Sequence, residues 1–312
     1  MTVGQWHLLN YELNGAVRSG IQVGEAIFDI AKGLDQPDLT SSEAIFRRWK
    51  ETKNLLSALA DSSPTAALVG RGATIAAPIA NPGAIYCAGA NYRDHIEEMA
   101  KRSGTKPLDP RAANIETWFF LKTPICITGP DAAIELPSYS NAIDWEAELA
   151  AIIGMTARDV RPEDALDYVA GYTIANDLSA RDHSKRDGVA DLSPFKWDWL
   201  AHKVFDGSCP LGPWMVPAWD IPEPQSLRIS LSVNGIVKQD SNTSQMIYSV
   251  AEQISQLSRK RTLLPGDLVL TGTPAGVGAP RGEFLRDKDV VEVEIEKIGR
   301  LRNTISKRPS AG

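Results

Sequence analysis

Two acidic residues interrupt an apolar stretch near the middle of the chain. Glu146 and Glu148 stand two residues apart in the run DWEAELAAIIG, which covers residues 144–154. In a strand, side chains at positions i and i+2 share a face, so both carboxylates would point the same way. Two like charges on a half-buried face repel each other and lose hydration, and a divalent cation that prefers oxygen ligands would offset that cost. The run therefore indicates either a metal site or the solvated end of a strand.

A second run of alternating glutamates provides a comparison within the same chain. Residues 290–296 read VVEVEIE, with aliphatic side chains at every second position and glutamates between them. This pattern is typical of an antiparallel strand with one face in water. The run at 144–154 differs, because its acidic face becomes apolar at Ala150 and Ile152.

A third carboxylate follows the apolar segment 168–174, which is predicted to be a strand. Asp177 would complete a set of three carboxylates that leaves positions open for water or substrate, as Mg²⁺ sites usually do. Asp177 could instead cap a turn or helix that starts near Leu178.

One histidine has an acidic neighbour at helical spacing. If Asn91 is the N-cap of a helix, His95 and Glu98 lie on one face at positions i and i+3. A histidine oriented by a carboxylate is a recurring general-base pair. The same spacing would also suit an ion pair on the surface of a helix.

Two lysines and a glycine-rich turn could bind negative charge. Lys122 and Lys203 occur beside apolar and aromatic residues. Near a metal they could neutralise a substrate carboxylate or an oxyanion, or their amines could simply reach water. Backbone amides in the segment 271–278, TGTPAGVG, could hold an anion, although the ending of a phosphate-binding loop is missing.

Composition limits the classes of function. The chain has 312 residues, 43% hydrophobic residues and a formal net charge of −6 without a basic block, which argues against a nucleic-acid partner. No apolar run approaches the roughly 18 residues of a membrane span, and the N-terminus does not resemble a secretory signal. Three widely spaced cysteines, each expected to be a small buried side chain, favour a reducing cytoplasm.

The elements that position these residues are predicted to form two parts. Residues 1–80 read as a small N-terminal α/β module, with a hairpin at Asn14-Gly15 and a helix from Ser41, and residues 81–312 as a larger domain. In the larger part, patterning predicts a hairpin at Asn234-Gly235, strands and helices. The strands are 84–88, 119–121, 149–153, 168–174, 227–233, 268–271 and 290–295, and the helices 92–101, 161–168 and 243–257. Parallel βα alternation is absent, so we predict an α+β fold, a mixed β-sandwich roll with peripheral helices.

Together these elements resemble the fumarylacetoacetate hydrolase superfamily, in that family's order, over about residues 80–300. The matching segments are Gly89–Glu98, Phe120–Lys122, Trp145–Leu149, Asn176–Asp182, Lys203–Asp206 and Leu270–Gly278. The resemblance implies a homodimer that binds Mg²⁺ or Mn²⁺, or sometimes Ca²⁺, through Glu146, Glu148 and Asp177. It also implies a substrate with a 2-oxo acid or β-dicarbonyl unit, whose enolate the metal stabilises.

The expected reaction is hydrolysis of a carbon–carbon bond in an acylpyruvate. His95, oriented by Glu98, would activate water, and Lys203 would stabilise the oxyanion. Substrate binding is assigned to four residues, namely Asn91, Lys122, Arg181 and Thr273. The alternatives are an isomerase, a tautomerase or a decarboxylase that acts on a hydroxymuconate-type diacid or oxaloacetate, and a non-catalytic protein that binds a small acid.

Three departures from the family pattern fall where substrate choice would be made. His183-Ser184 stands where many members have glutamine, and His202 where many have glycine before the lysine. The long polar segment 101–117 could be a mobile lid over the site or a disordered surface loop.

Overall fold

A computed structural model describes residues 5–307 of the chain, which fold mainly into β-sheet. The strands are β1 His7–Leu13, β2 Ala16–Val23, β3 Ala26–Asp29, β4 Thr74–Ala76, β5 Ile85–Gly89, β6 Trp118–Lys122, β7 Ile127–Thr128, β8 Ala133–Leu136, β9 Ile143–Asp144, β10 Ala147–Ile153, β11 Val169–Asn176, β12 Ser179–Ala180, β13 Cys209–Pro217, β14 Arg228–Val233, β15 Ile236–Asn242, β16 Leu268–Leu270, β17 Val290–Ile295 and β18 Gly299–Lys307.

The helices are few and short. They are α1 Ile30–Gly33, α2 Ser42–Arg47, α3 Trp49–Ser62, α4 Arg93–Ser103, α5 Trp199–Lys203 and α6 Val250–Lys260, with 3₁₀ turns at Thr65–Ala67, Pro124–Cys126, Pro162–Tyr168, Arg181–His183, Ala218–Asp220, Thr243–Gln245 and Ala279–Arg281. This mixed architecture confirms the predicted α+β class. Within residues 5–307, no helix is long and apolar enough to cross a membrane.

One large sheet lies at the centre of the fold and is covered on both faces. Its strand order is β3-β2-β1-β13-β11-β10-β16-β5-β6, and a second sheet of order β15-β14-β17-β18-β8 packs against it. Alternate residues of β10 belong to two different apolar cores: Leu149 contributes to the core shared with the second sheet, and Ala150 to the core shared with α2 and α3. All seven residues of β10 are buried for this reason, which explains its nearly continuous apolar sequence.

The first 80 residues extend the central sheet. Leu8 of β1 pairs with Met215 of β13, and Trp6, Phe46 and Trp49 lie in the same core as Ala150. The two parts of the chain therefore pack around a shared core in this structure. A division into separate domains at residue 80 stays a prediction.

Most predicted elements are present, and two differ in detail. Both Asn-Gly hairpins are confirmed, with positive φ at Asn14 and Asn234 as such turns require. The segment 161–168 is a 3₁₀ helix. The predicted helix 243–257 is split, because a reciprocal capping box between Ser249 and Glu252 starts α6 anew.

Candidate metal centre and active site

Three buried carboxylates converge at one end of the central sheet. Glu146 precedes β10, Glu148 lies on β10 and Asp177 follows β11. One carboxylate oxygen from each lies within 4.8 Å of the others, and the residues are 7%, 1% and 0% exposed. The solvated-strand interpretation is therefore wrong for this run, whereas Glu294 in the comparison run is exposed and the aliphatic face there is buried. Asp177 caps no helix, since the chain continues into β12.

The backbone pairing of two antiparallel strands brings these residues together. Ala147 of β10 lies opposite Asn176 of β11, and just beyond this pair the Asp177 amide donates to the Glu146 carbonyl at 2.9 Å. The side chain of Asn176 accepts a hydrogen bond from the Glu146 amide at 2.9 Å. On the other side of β10, the Gly272 amide donates to Glu148 Oε2 at 2.7 Å. The Glu148 carboxylate is thus held by the turn after β16, and the backbone of Glu146 is fixed beside that of Asp177.

Two buried lysines neutralise part of this negative charge. Lys203 Nζ donates to Glu146 Oε2 at 2.9 Å and to Asp177 Oδ2 at 2.5 Å. Lys122 Nζ lies 2.7 Å from Asp177 Oδ1 and also donates to the carbonyls of Leu178 and Lys203. The side chains of Lys122 and Lys203 are 0% and 5% exposed, so neither lysine extends its amine into bulk water. Lys122 is placed to hold Asp177, and the substrate contact expected of it remains a prediction.

An arginine links the carboxylates to the glycine-rich turn. Arg181 Nε donates to Asp144 Oδ2 at 2.8 Å, and its Nη2 donates to Glu146 Oε1 at 2.5 Å. Asp144 also accepts hydrogen bonds from the amides of Gly278 and Ala279, at 2.6 and 3.1 Å. Asp144 was not predicted as a functional residue, although it begins the run that contains both glutamates. Its role depends on a contact with a turn more than 130 residues away.

The electrostatics of the cluster fit a divalent cation. Burial and the charges of Asp177 and Glu146 raise the pKa of Glu148 well above its ordinary value. Although burial opposes ionisation of Glu146, the charges of Lys203 and Arg181 lower its pKa. The triad and Asp144 together make four carboxylates, and these face three cationic side chains, Lys122, Lys203 and Arg181. Every ligand atom that the triad offers is a hard oxygen. A divalent cation suits such a set, because it would offset the remaining repulsion.

His95 and Glu98 form a pair on α4 at the edge of the cluster. His95 is 7% exposed, and its Nδ1 lies 3.5 Å from Glu98 Oε2. The Gly276 amide donates to Glu98 Oε2 at 3.0 Å and fixes the carboxylate. Burial raises the pKa of Glu98, but hydrogen bonding to His95 and Gly276 outweighs it, so the pKa is lowered overall. A carboxylate facing Nδ1 favours the tautomer that carries its proton there and leaves Nε2 free to accept one.

Two other predicted substrate ligands have partners within the protein. The N-cap of α4 is Tyr92, not Asn91 as predicted. Asn91 instead donates to the carbonyls of Tyr248 and Thr271 and accepts from the Tyr248 amide, so both of its amide hydrogens are used in holding the scaffold. The hydroxyl of Thr273 accepts a hydrogen bond from Gln239 at 2.9 Å. Substrate binding by either residue stays a prediction.

A cavity of about 950 Å³ opens beside His95 and Arg181. Arg102 and Lys185 line it at exposed positions, and Val277 and Phe284 supply apolar walls. Arg102 donates to the Ala279 carbonyl at 2.7 Å, and Lys185 Nζ lies 4.8 Å from the centre of the Trp197 ring. Within residues 5–307, neither cation has a carboxylate within ion-pair distance.

The segment 101–117 contacts α6 over its second half. Arg111 donates to Ile247 and Glu252, and Glu116 pairs with Arg259 and Lys260. These contacts are those of an ordered surface segment, which argues against the disordered-loop interpretation. A lid function stays a prediction.

Removing the partner of Asp177 should destabilise the fold. We expect Lys122→Met to lower the free energy of unfolding by about 3–5 kcal/mol, because it leaves a buried carboxylate short of one counter-charge. Urea denaturation in the presence of a chelator measures the change. As a control, Arg161→Met removes an exposed pair with Asp164 and should leave the free energy of unfolding nearly unchanged. Equal losses in the two variants would contradict the role given to Lys122.

The sequence and the fold of this chain are similar to those of a family of enzymes. Residues 84–306 match the family model of the fumarylacetoacetate (FAA) hydrolase C-terminal domain. The chain is 40% identical over 234 residues to the mitochondrial oxaloacetate tautomerase Fahd2a of Rattus norvegicus, covering 74% of this chain and 69% of that protein.

Solved structures agree over nearly the whole chain. Fumarylacetoacetate hydrolase from the psychrophile Exiguobacterium antarcticum superposes with a TM-score of 0.77 at 31% identity, covering 97% of this chain and 100% of that one. Maleylpyruvate hydrolase from Sphingobium sp. SYK-6, in complex with a manganese(II) ion and pyruvate, gives a TM-score of 0.73 at 26% identity, with coverages of 96% and 99%.

Proposed function

The chain belongs to the fumarylacetoacetate hydrolase family, and from this premise we propose that it hydrolyses a carbon–carbon bond in an acylpyruvate-like 2-oxo acid. The single observation that carries the proposal is the position of the His95–Glu98 pair. His95 lines the same cavity as Arg181, whose guanidinium bonds Glu146 of the carboxylate triad. A general base and a metal centre at one cavity are what hydrolysis through an enolate requires.

Glu146, Glu148 and Asp177 would hold Mg²⁺ or Mn²⁺, and the maleylpyruvate hydrolase that carries manganese and pyruvate supports this choice. When bound, a divalent cation supplies Lewis acidity, which stabilises the negative charge of an enolate.

The residues of the chain would share the remaining work. His95 Nε2 takes a proton from water while Glu98 stabilises the resulting imidazolium. The hydroxide adds to the distal carbonyl, and the Lys203 ammonium, which has one hydrogen left beyond its two carboxylate partners, donates to the oxyanion. The carbon–carbon bond then breaks, and its electron pair goes to the pyruvate fragment as the enolate. The His95 imidazolium returns its proton to the enolate carbon, which gives pyruvate and restores the neutral base. Arg181, with Thr273, would orient the substrate carboxylate.

A substrate panel tests this assignment. With Mn²⁺ or Mg²⁺, we expect 2,4-dioxopentanoate to yield acetate and pyruvate, with pyruvate measured by a coupled lactate dehydrogenase assay. No turnover of any acylpyruvate with either metal would overturn the hydrolase assignment.

An isomerase or tautomerase of a 2-oxo diacid is the second candidate, and the cavity favours it in one respect. Arg102 and Lys185 present positive charge at its exposed side, which would suit a second carboxylate on the substrate. Ultraviolet absorbance follows the enol form of oxaloacetate. This candidate would be favoured if oxaloacetate tautomerised rapidly and no acylpyruvate released pyruvate.

The apolar face beside α5 supports a homodimer. Trp118, Trp197 and Leu200 are each about half exposed or more, and the rings of Trp118 and Trp197 both contact Trp199. Contiguous exposed apolar surface of this kind marks an interface. Light scattering after size exclusion should give twice the chain mass, and Leu200→Asp should shift it toward a monomer. A monomeric parent protein would contradict the proposal.

A further inference from the structure

His202 is a buried polar residue without a polar partner in the protein. It lies on α5 directly before Lys203 and is 5% exposed. Within residues 5–307, neither Nδ1 nor Nε2 of its ring has a hydrogen-bond partner. The large majority of buried polar side-chain atoms are hydrogen-bonded, so an imidazole with both nitrogens unpaired calls for an explanation.

The surroundings of the ring keep it neutral. Burial, together with the positive charges of Lys203 and Arg181, lowers the pKa of His202 to about 3. A neutral imidazole has one N–H donor and one nitrogen acceptor. The centre of the Trp199 ring lies 5.5 Å from the centre of the imidazole, and this ring contact supplies no hydrogen bond.

His202 directly precedes a residue of the candidate active site. That residue, Lys203, bonds two members of the carboxylate triad, and the charges of Lys203 and Arg181 act on the His202 ring. A group with one free donor and one free acceptor complements a hydroxyl, which both donates and accepts.

We propose that His202 is a specificity-determining residue that hydrogen-bonds a hydroxyl group on the acyl part of the substrate. The inference rests on the proposed function for the identity of the substrate. A site built to pair a hydroxyl discriminates against the analogue that lacks it, because its own polar groups are then left buried and unpaired. His202 would therefore select hydroxylated acylpyruvates over plain ones.

The test compares 5-hydroxy-2,4-dioxopentanoate with 2,4-dioxopentanoate in wild type, His202→Leu and His202→Gln. For the leucine variant with Mn²⁺, we expect the preference in kcat/KM for the hydroxylated acid to fall by roughly 10- to 100-fold. The glutamine variant, which keeps a donor and an acceptor, should recover part of it. The melting temperature of His202→Leu should equal or exceed that of wild type, since an unpaired polar group is removed.

His7→Leu is the matched control. His7 lies on β1 and stacks on Trp214 of β13, and its Nδ1 is also unpaired. Its replacement should leave the substrate preference unchanged. An unchanged preference in His202→Leu overturns the proposal, and a fall in melting temperature with equal losses for both acids assigns His202 to structure alone.

Calorimetric dissociation constants for both acids, measured with Mn²⁺, give the same comparison without turnover. Failure of the wild type to convert either acid would therefore contradict the proposed function, whereas the ratio of dissociation constants would still decide the role of His202.

Discussion

Replacing His95 with alanine is expected to lower turnover of an acylpyruvate by about 10²- to 10⁴-fold, the range typical of a general base. The residue is buried at the cavity wall, and Glu98, itself fixed by the Gly276 amide, faces its Nδ1. Its proposed partner is water, so the loss should appear mainly in kcat. Steady-state kinetics at saturating Mn²⁺ measure it.

Two further measurements distinguish loss of the general base from disruption of the metal site. The Mn²⁺ dissociation constant should be unchanged in His95→Ala, because the histidine is not one of the three converging oxygen donors. Glu98→Gln should cost less than His95→Ala, since an amide still accepts from Nδ1 but gives weaker support to an imidazolium. Full activity in His95→Ala would remove the general base from the proposed mechanism.

The converging carboxylates were predictable from sequence because their positions obey local rules. A two-residue spacing puts Glu146 and Glu148 on one side of a strand, and Asp177 follows the adjacent strand, so antiparallel pairing is enough to bring the three together. The comparison run at 290–296 shows why spacing alone was ambiguous. What distinguishes the two runs is the packing around them: β10 is covered on both faces, whereas one face of β17 lies toward water.

Contacts between distant parts of the chain escaped prediction. Asn91 was expected to cap α4, but its side chain bonds Tyr248, 157 residues away. Gln239 holds the Ala147 amide and Thr273 from a hairpin that carries no local signal of a functional site. Nothing in the sequence indicated that Lys122, whose contact with a substrate stays a prediction, would lie against Asp177, where two buried charges pair. Sequence patterns identify ligands, and the packing of distant segments decides which of them remain free.

Glu148→Gln should abolish stabilisation by Mn²⁺ while leaving the metal-free protein at least as stable as wild type. In wild type, Mn²⁺ at about 100 times its dissociation constant should add roughly 2.7 kcal/mol to the free energy of unfolding. The variant loses one of three anionic ligands, so the same concentration should give little or no increase in melting temperature.

In the presence of a chelator, Glu148→Gln is expected to be at least as stable as wild type, the reverse of its effect with Mn²⁺. Glu148 is 1% exposed and lies against Asp177 and Glu146, whose charges oppose its ionisation. A glutamine keeps the hydrogen bond from the Gly272 amide and can donate to a neighbouring carboxylate, so repulsion is exchanged for attraction. Glu294→Gln, on the solvated face of β17, is the matched control and should leave the free energy of unfolding within about 0.5 kcal/mol of wild type with and without Mn²⁺. If Mn²⁺ raised the melting temperature of Glu148→Gln as much as that of wild type, the ion would bind elsewhere. The expected result is a variant that is less stable than wild type with Mn²⁺ and at least as stable without it. That combination arises only if Glu148 destabilises the metal-free fold and is kept because it binds the cation.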